Sequence, residues 1–192
     1  MRGILVSGAA LALATVPVAA QQKPETVYFV KPPEIAIPDG VPVGEYRRVI
    51  RPFKNWTLIC DENLKAKKRV CNVTQTIVDQ TGETAFSWSL AGTDGGAPVM
   101  IMRVPAVVGK DKPITLSFND GDKPITATTN GCNAQVCVAV QQIGPRLKGY
   151  IAKGAVTQIT YPKPMTGPEG SRTMIIGLFA PLEGLSKAVS SI

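Results

Sequence analysis

The sequence of 192 residues contains no histidine. Without imidazole it lacks the usual general base, the Ser-His and Cys-His nucleophile pairs and the commonest zinc ligand. It also contains no glycine-rich phosphate loop. Asp120 and Asp122 fit a hairpin turn, since the other ligands of a calcium loop are missing. We therefore predict no catalytic residue, no metal site and no cofactor, and a protein that is not an enzyme.

Long apolar runs are also scarce. The main one is N-terminal: Arg2 precedes a mostly apolar stretch at residues 4–16, Pro17 ends it, and small residues precede Gln21. This order is typical of a secretory signal peptide, here cleaved near Ala20. The stretch is too short and too rich in alanine for a spanning helix. We expect a periplasmic, outer-membrane-associated or secreted protein whose mature chain has no transmembrane span.

The chain divides into three predicted segments: a signal peptide at 1–20, a proline-rich arm at 21–44 and one domain at 45–192. Five prolines in the arm favour an extended linker over a helix or a central strand. Residues 27–30 are apolar, and their alternative interpretation is a docked strand or a partner-binding segment. The third segment is long enough to bury a core of its own.

Acidic residues are outnumbered, with 14 Asp and Glu against 21 Lys and Arg, for a formal net charge of +7. The cations concentrate in two clusters, which are Arg47, Arg48, Arg51 and Lys54, and then Lys65, Lys67, Lys68 and Arg69. In an exported protein they favour a protein partner or an anionic envelope component, such as lipid headgroups, lipopolysaccharide or a surface polymer, with peripheral membrane association. The alternative is a solvated basic surface. No aromatic residues interleave the second cluster, so we predict no nucleic-acid binding.

There are only four cysteines, in two close pairs, Cys60 with Cys71 and Cys132 with Cys137. Behind an export signal they favour disulfides. Four cysteines allow three pairings, and the sequence leaves them open. Local pairing is the simplest hypothesis because each pair brackets one predicted turn. The spacing is not that of a redox C-x-x-C motif, and it is too wide for a typical zinc site.

Most of the chain after residue 45 shows the two-residue alternation of half-buried strands. Trp56, Leu58 and Cys60 share one face of such a run. The predicted fold is mainly β, a single antiparallel β-sandwich or barrel-like domain with one or two short helices. The helices are predicted at 145–153 and 182–192. The nine predicted strands are 53–60, 69–78, 85–91, 98–104, 114–118, 125–129, 136–141, 156–161 and 173–179.

Several residues form a recognisable order from about Lys54 to the C-terminus. They are Trp56 and Cys60, Cys71 followed by Gln75, the strand end Arg103-Val104-Pro105, Cys132 and Cys137, and Gly177-Leu178-Phe179-Ala180. This order resembles the invasion-associated locus B family, although Val136 stands where glycine is expected. The resemblance implies an exported bacterial envelope protein, linked in some pathogens to host-cell entry and virulence. It supplies no active site.

Three functions follow as hypotheses. The first is a non-enzymatic envelope protein whose basic surface binds a macromolecule or an anionic envelope or host component. The second is a periplasmic hydrolase that uses carboxylate or Ser-Lys chemistry. The third is a periplasmic chaperone or inhibitor that offers a strand edge to its client.

Overall fold

The computed structural model of the protein describes residues 37, 39–92, 97–167 and 170–192. Within them lie eleven strands, two α-helices, α1 (Pro145–Lys153) and α2 (Leu185–Val189), and a 3-10 turn at Ala106–Val108. The strands are β1 (Tyr46–Phe53), β2 (Trp56–Asn63), β3 (Lys68–Val78), β4 (Thr84–Gly92), β5 (Pro98–Pro105), β6 (Pro113–Ser117), β7 (Ile125–Thr128), β8 (Gly131–Cys132), β9 (Val136–Gln142), β10 (Val156–Gly167) and β11 (Gly170–Pro181). The predicted signal peptide and most of the predicted arm, including residues 27–30, lie outside the described residues.

The strands form two antiparallel sheets. One has seven strands in the order β1-β2-β3-β4-β5-β9-β8, and the other has four in the order β11-β10-β6-β7. The arrangement is sandwich-like and not a closed barrel, which confirms the predicted fold class. None of the described helices has the length and apolar character needed to span a membrane.

The core lies between the inner faces of the two sheets. Trp56, Leu58 and Cys60 are all buried on one face of β2, as their alternation predicts. The four-stranded sheet contributes Leu116 and Ile159 to the same apolar cluster. Burying a side chain of this size contributes about 1.5–3 kcal/mol relative to leaving it in water. The sandwich is therefore stabilised chiefly by contact between its two layers.

One polar side chain, Gln75, is buried within this core. Its amide Nε2 donates hydrogen bonds to the backbone oxygens of Asn55 (2.9 Å) and Pro181 (3.1 Å). Its Oε1 accepts one from the indole Nε1 of Trp88 at 2.8 Å. The Pro181 oxygen also accepts a hydrogen bond from Trp56 Nε1 at 3.3 Å. Because Pro181 ends β11, Gln75 and Trp56 link the two sheets through one carbonyl group.

Both disulfides join facing residues of adjacent strands. Cys60 lies opposite Cys71 in the β2–β3 pair, and Cys132 lies opposite Cys137 in the β8–β9 pair. Local pairing is thereby confirmed. In the second hairpin the Asn133 side chain accepts hydrogen bonds from the backbone N–H of the two residues before Cys137. Val136 is not among the positive-φ residues, so the turn does not need glycine there.

Two sequence predictions of local structure are wrong. A strand does not begin at Phe53, because Lys54 and Asn55 form a turn that separates β1 from β2. The strand β1 was not predicted from the sequence, because most of its residues are exposed and their burial does not alternate. The second helix does not cover 182–192. It begins only at Leu185, because Gly184 has a left-handed backbone (φ 92°) and a right-handed helix cannot continue through it. By contrast, the predicted helix at 145–153 is confirmed as α1.

Candidate functional site

The two predicted basic clusters lie on neighbouring elements of the seven-stranded sheet. Three members of the first cluster lie on β1, the edge strand, and the fourth lies in the β1–β2 turn. In the second cluster Lys65 and Lys67 lie in the β2–β3 turn, and Lys68 and Arg69 begin β3. The register places Arg47 and Arg48 near the β2–β3 turn, whereas Arg51 and Lys54 lie at the opposite end of the β1–β2 hairpin.

The register of β1 against β2 places carboxylates directly opposite two of the arginines. Arg48 faces Asp61 and donates two hydrogen bonds to it, from Nε at 2.6 Å and from Nη2 at 3.0 Å. Arg47 faces Glu62 and donates to Oε2 at 2.6 Å. Arg69 reaches the same Glu62 carboxylate at 3.4 Å. Much of the positive charge that the sequence shows on β1 is therefore neutralised within the hairpin.

The pKa of the Asp61 carboxyl is below its ordinary value. The hydrogen bonds from Arg48 are the main cause, and a further one from the Tyr46 hydroxyl (2.5 Å) also lowers the pKa, while partial burial opposes both. Charge-assisted pairs of this two-bonded kind fix geometry as well as charge. Asp61 therefore adds side-chain hydrogen bonds to the backbone pairing of β1 with β2.

Four of the eight predicted cations form no ion pair with another described residue. Three of them, Lys65, Lys67 and Lys68, surround the β2–β3 turn, which we call the basic turn. All three are exposed. The turn is closed at its base by the Cys60–Cys71 disulfide. The fourth, Arg51, lies with its guanidinium 5.7 Å from the centre of the Phe53 ring.

A second cationic site was missed by sequence reasoning. A groove of about 980 Å³ lies between the β1–β2 turn, the end of α1 and the start of α2. We call it the basic groove, and its charged lining residues are Arg51, Lys54, Lys153, Glu183 and Lys187. Lys153 and Lys187 are far from the first cluster in the sequence, so only the fold could reveal that they meet it. A single lysine near the end of a helix does not by itself predict a binding site.

The carboxylates with shifted pKa values do not form an acid/base pair. The pKa values of Asp61, Asp79 and Asp120 are all lowered, each chiefly by a local hydrogen bond, from Arg48, Thr81 and Tyr150 respectively. A general acid at neutral pH needs a raised pKa. These three groups lie in different parts of the chain and offer no support to the hydrolase hypothesis. Among the described residues no group of three His, Cys, Asp or Glu could bind a metal ion.

The family model described as invasion associated locus B (IalB) protein matches residues 56–192, which is most of the chain. The chain belongs to the invasion associated locus B family. The match includes the basic turn, Lys153 and Lys187, but it begins after β1 and Lys54. The matched range therefore covers most of the sandwich, while β1 and Lys54, with part of the cationic surface, lie outside it.

A solved structure shares the fold. The crystal structure of invasion associated protein B from Bartonella henselae is 17% identical, with a TM-score of 0.58, and the match covers 74% of this chain and 94% of that one. At this identity the likeness shows the fold alone. No curated protein matches the chain. The residues that carried the sequence resemblance, Trp56, Gln75 and the cysteines, are part of the core or of the disulfides.

Asp61→Asn should destabilise the protein at neutral pH and much less in acid. The folded-state pKa of Asp61 is below its unfolded value of about 3.9, so its stabilising effect is present above that pH and is lost as pH falls through the folded pKa. Urea unfolding at a series of pH values measures the difference between wild type and variant. Asp39→Asn, at an exposed turn residue, is the control. A difference that stays constant down to acid pH would contradict the role assigned to Asp61.

Proposed function

We propose that the protein is exported to the bacterial envelope, has no enzymatic activity and binds an anionic macromolecule through its cationic surface. The N-terminal pattern supports export, with cleavage near Ala20 leaving a formal charge of +6, since Arg2 is the charged residue of that segment. Family membership supports a role in association with host cells, as the family name implies. An excess of positive charge promotes association with anionic surfaces.

The basic turn carries this proposal. Its three lysines project from a hairpin end, and no described carboxylate neutralises them, in contrast to the arginines of β1. Lys67 has a left-handed backbone (φ 52°), which shapes the turn, and the disulfide between Cys60 and Cys71 restricts its base. Cations on a restricted loop lose less conformational entropy on binding than cations on a mobile one.

Sedimentation of the exported protein with vesicles tests the proposal. We expect binding to phosphatidylcholine vesicles that contain phosphatidylglycerol, and to lipopolysaccharide, but not to phosphatidylcholine alone. At about 1 M salt, where screening acts over about 3 Å, the binding should disappear. The variant Lys65→Ala/Lys67→Ala/Lys68→Ala should weaken it about tenfold. Equal binding to neutral and anionic vesicles, or none to either anionic surface, would contradict the proposal.

A second candidate function is supported by the edge strand β11. This strand has twelve residues and pairs on one side with β10, with no described strand on the other. Ile175 and Phe179 on it are 65% and 68% exposed. An apolar edge of this length is a template for pairing with a strand of another chain. The hypothesis is a chaperone or inhibitor that binds an extended client segment.

Light scattering of reduced, unfolded lysozyme tests the strand-edge function. The protein should slow the aggregation of this client, and Ile175→Lys/Phe179→Lys should remove the effect because charges on an edge oppose strand addition. Ile50→Lys, at an exposed residue of the edge strand β1 of the other sheet, is the matched control and should behave as wild type. If wild type leaves the aggregation rate unchanged, β11 does not act as a client edge.

A further inference from the structure

The basic groove concentrates charge from three separate parts of the chain. Arg51 and Lys54 come from the β1–β2 hairpin, Lys153 ends α1, and Lys187 lies in α2. Glu183 is the carboxylate among the lining residues, and it pairs with Lys54 at 2.9 Å. Arg51, Lys153 and Lys187 therefore face the groove without an ion-pair partner in the described part of the chain.

The walls of the groove are in close contact with one another. A Cβ atom at Gly184 would lie 3.6 Å from the Lys54 Cβ, and one at Gly154 would lie 3.3 Å from the Glu183 Cα. Both glycines also have positive φ, where other residues are strained. The Asn55 side chain donates a hydrogen bond to the backbone oxygen of Glu183 at 3.3 Å. The backbone that carries the cations is thus preorganised, which favours a specific site over a diffuse patch.

The chemistry of the lining indicates the class of ligand. Lysine and arginine together bind phosphate oxygens through charge-assisted hydrogen bonds. A phosphomonoester or diphosphate group carries about two negative charges at neutral pH and accepts several such bonds. Phe53 and Ile151 are half-buried apolar residues of the lining, next to the cations. They offer contact to the less polar body that bears the phosphate.

We propose that the basic groove binds a phosphate group with two negative charges, through Arg51, Lys153 and Lys187. The inference rests on the proposed function, because it assigns one site and one ligand class to an anion-binding surface. Glu183 limits the affinity by neutralising Lys54. The phosphate is borne either by a lipid headgroup or by a soluble compound, and these two sources share the same recognition chemistry.

Calorimetric titration of the exported protein with inorganic pyrophosphate tests the site. The variant Arg51→Ala/Lys153→Ala/Lys187→Ala should weaken binding about tenfold or more, since each lost charge removes a close attraction. Glu183→Gln should strengthen binding about threefold, because it frees Lys54. Lys110→Ala/Lys112→Ala/Lys123→Ala, at exposed lysines outside the groove, removes the same charge elsewhere and should leave pyrophosphate affinity within about twofold. Amide shifts at Gly154 and Gly184 should accompany binding to wild type.

Vesicles separate the two sources of phosphate. If vesicles containing phosphatidic acid bind more tightly than those containing phosphatidylglycerol, and the groove variant removes that preference, the ligand is a headgroup. If pyrophosphate binds in the groove without such a preference, the ligand is a soluble phosphate compound. Pyrophosphate binding that is absent, or that the Lys110→Ala/Lys112→Ala/Lys123→Ala variant weakens as much as the groove variant, overturns the groove site. Salt-sensitive binding to phosphatidylglycerol vesicles would still support the proposed function in that case.

Discussion

The structure depends on the burial of one amide, the side chain of Gln75. A buried polar group without a partner costs about 1–3 kcal/mol, so a core glutamine is tolerated only where its hydrogen bonds are made. Here the amide bonds the backbone of Asn55, the backbone of Pro181 and the indole of Trp88. Asn55 lies in the β1–β2 turn, Pro181 ends β11 of the four-stranded sheet, and Trp88 lies on β4 in the middle of the seven-stranded sheet. The amide therefore fixes how the two layers of the sandwich meet.

The same contacts place the cationic surface. Asn55 follows Lys54 in the β1–β2 turn, and Pro181 is two residues before Glu183. Both walls of the basic groove therefore adjoin residues whose backbone oxygens accept hydrogen bonds from Gln75. On the neighbouring hairpin, the register of β1 and β2 neutralises the arginines of the edge strand, while the disulfide-closed turn leaves its lysines available. Core packing and strand register thus decide which cations are free to bind a partner.

The core and the disulfides could be predicted from the sequence because their signals are local. Two-residue alternation identified Trp56 and its neighbours, and cysteine spacing favoured the pairing that the structure confirms. Features that depend on contacts between distant segments could not be predicted from the sequence. Gln75 was identified by resemblance, but its three partners come from distant segments. Lys153 and Lys187 join the groove only because α1 and α2 pack beside the first hairpin. The second helix was predicted too long because the left-handed backbone at Gly184 is not evident from composition.

If the Gln75 amide joins the two sheets, Gln75→Met should destabilise the fold, and urea unfolding measures the loss. Methionine preserves the volume but leaves the Trp88 indole and the Asn55 oxygen without this partner. We predict that the free energy of unfolding falls by about 2–4 kcal/mol. Gln142→Met, at an exposed position of β9, should change it by less than about 0.5 kcal/mol. A loss at Gln75 no larger than at Gln142 would contradict the account.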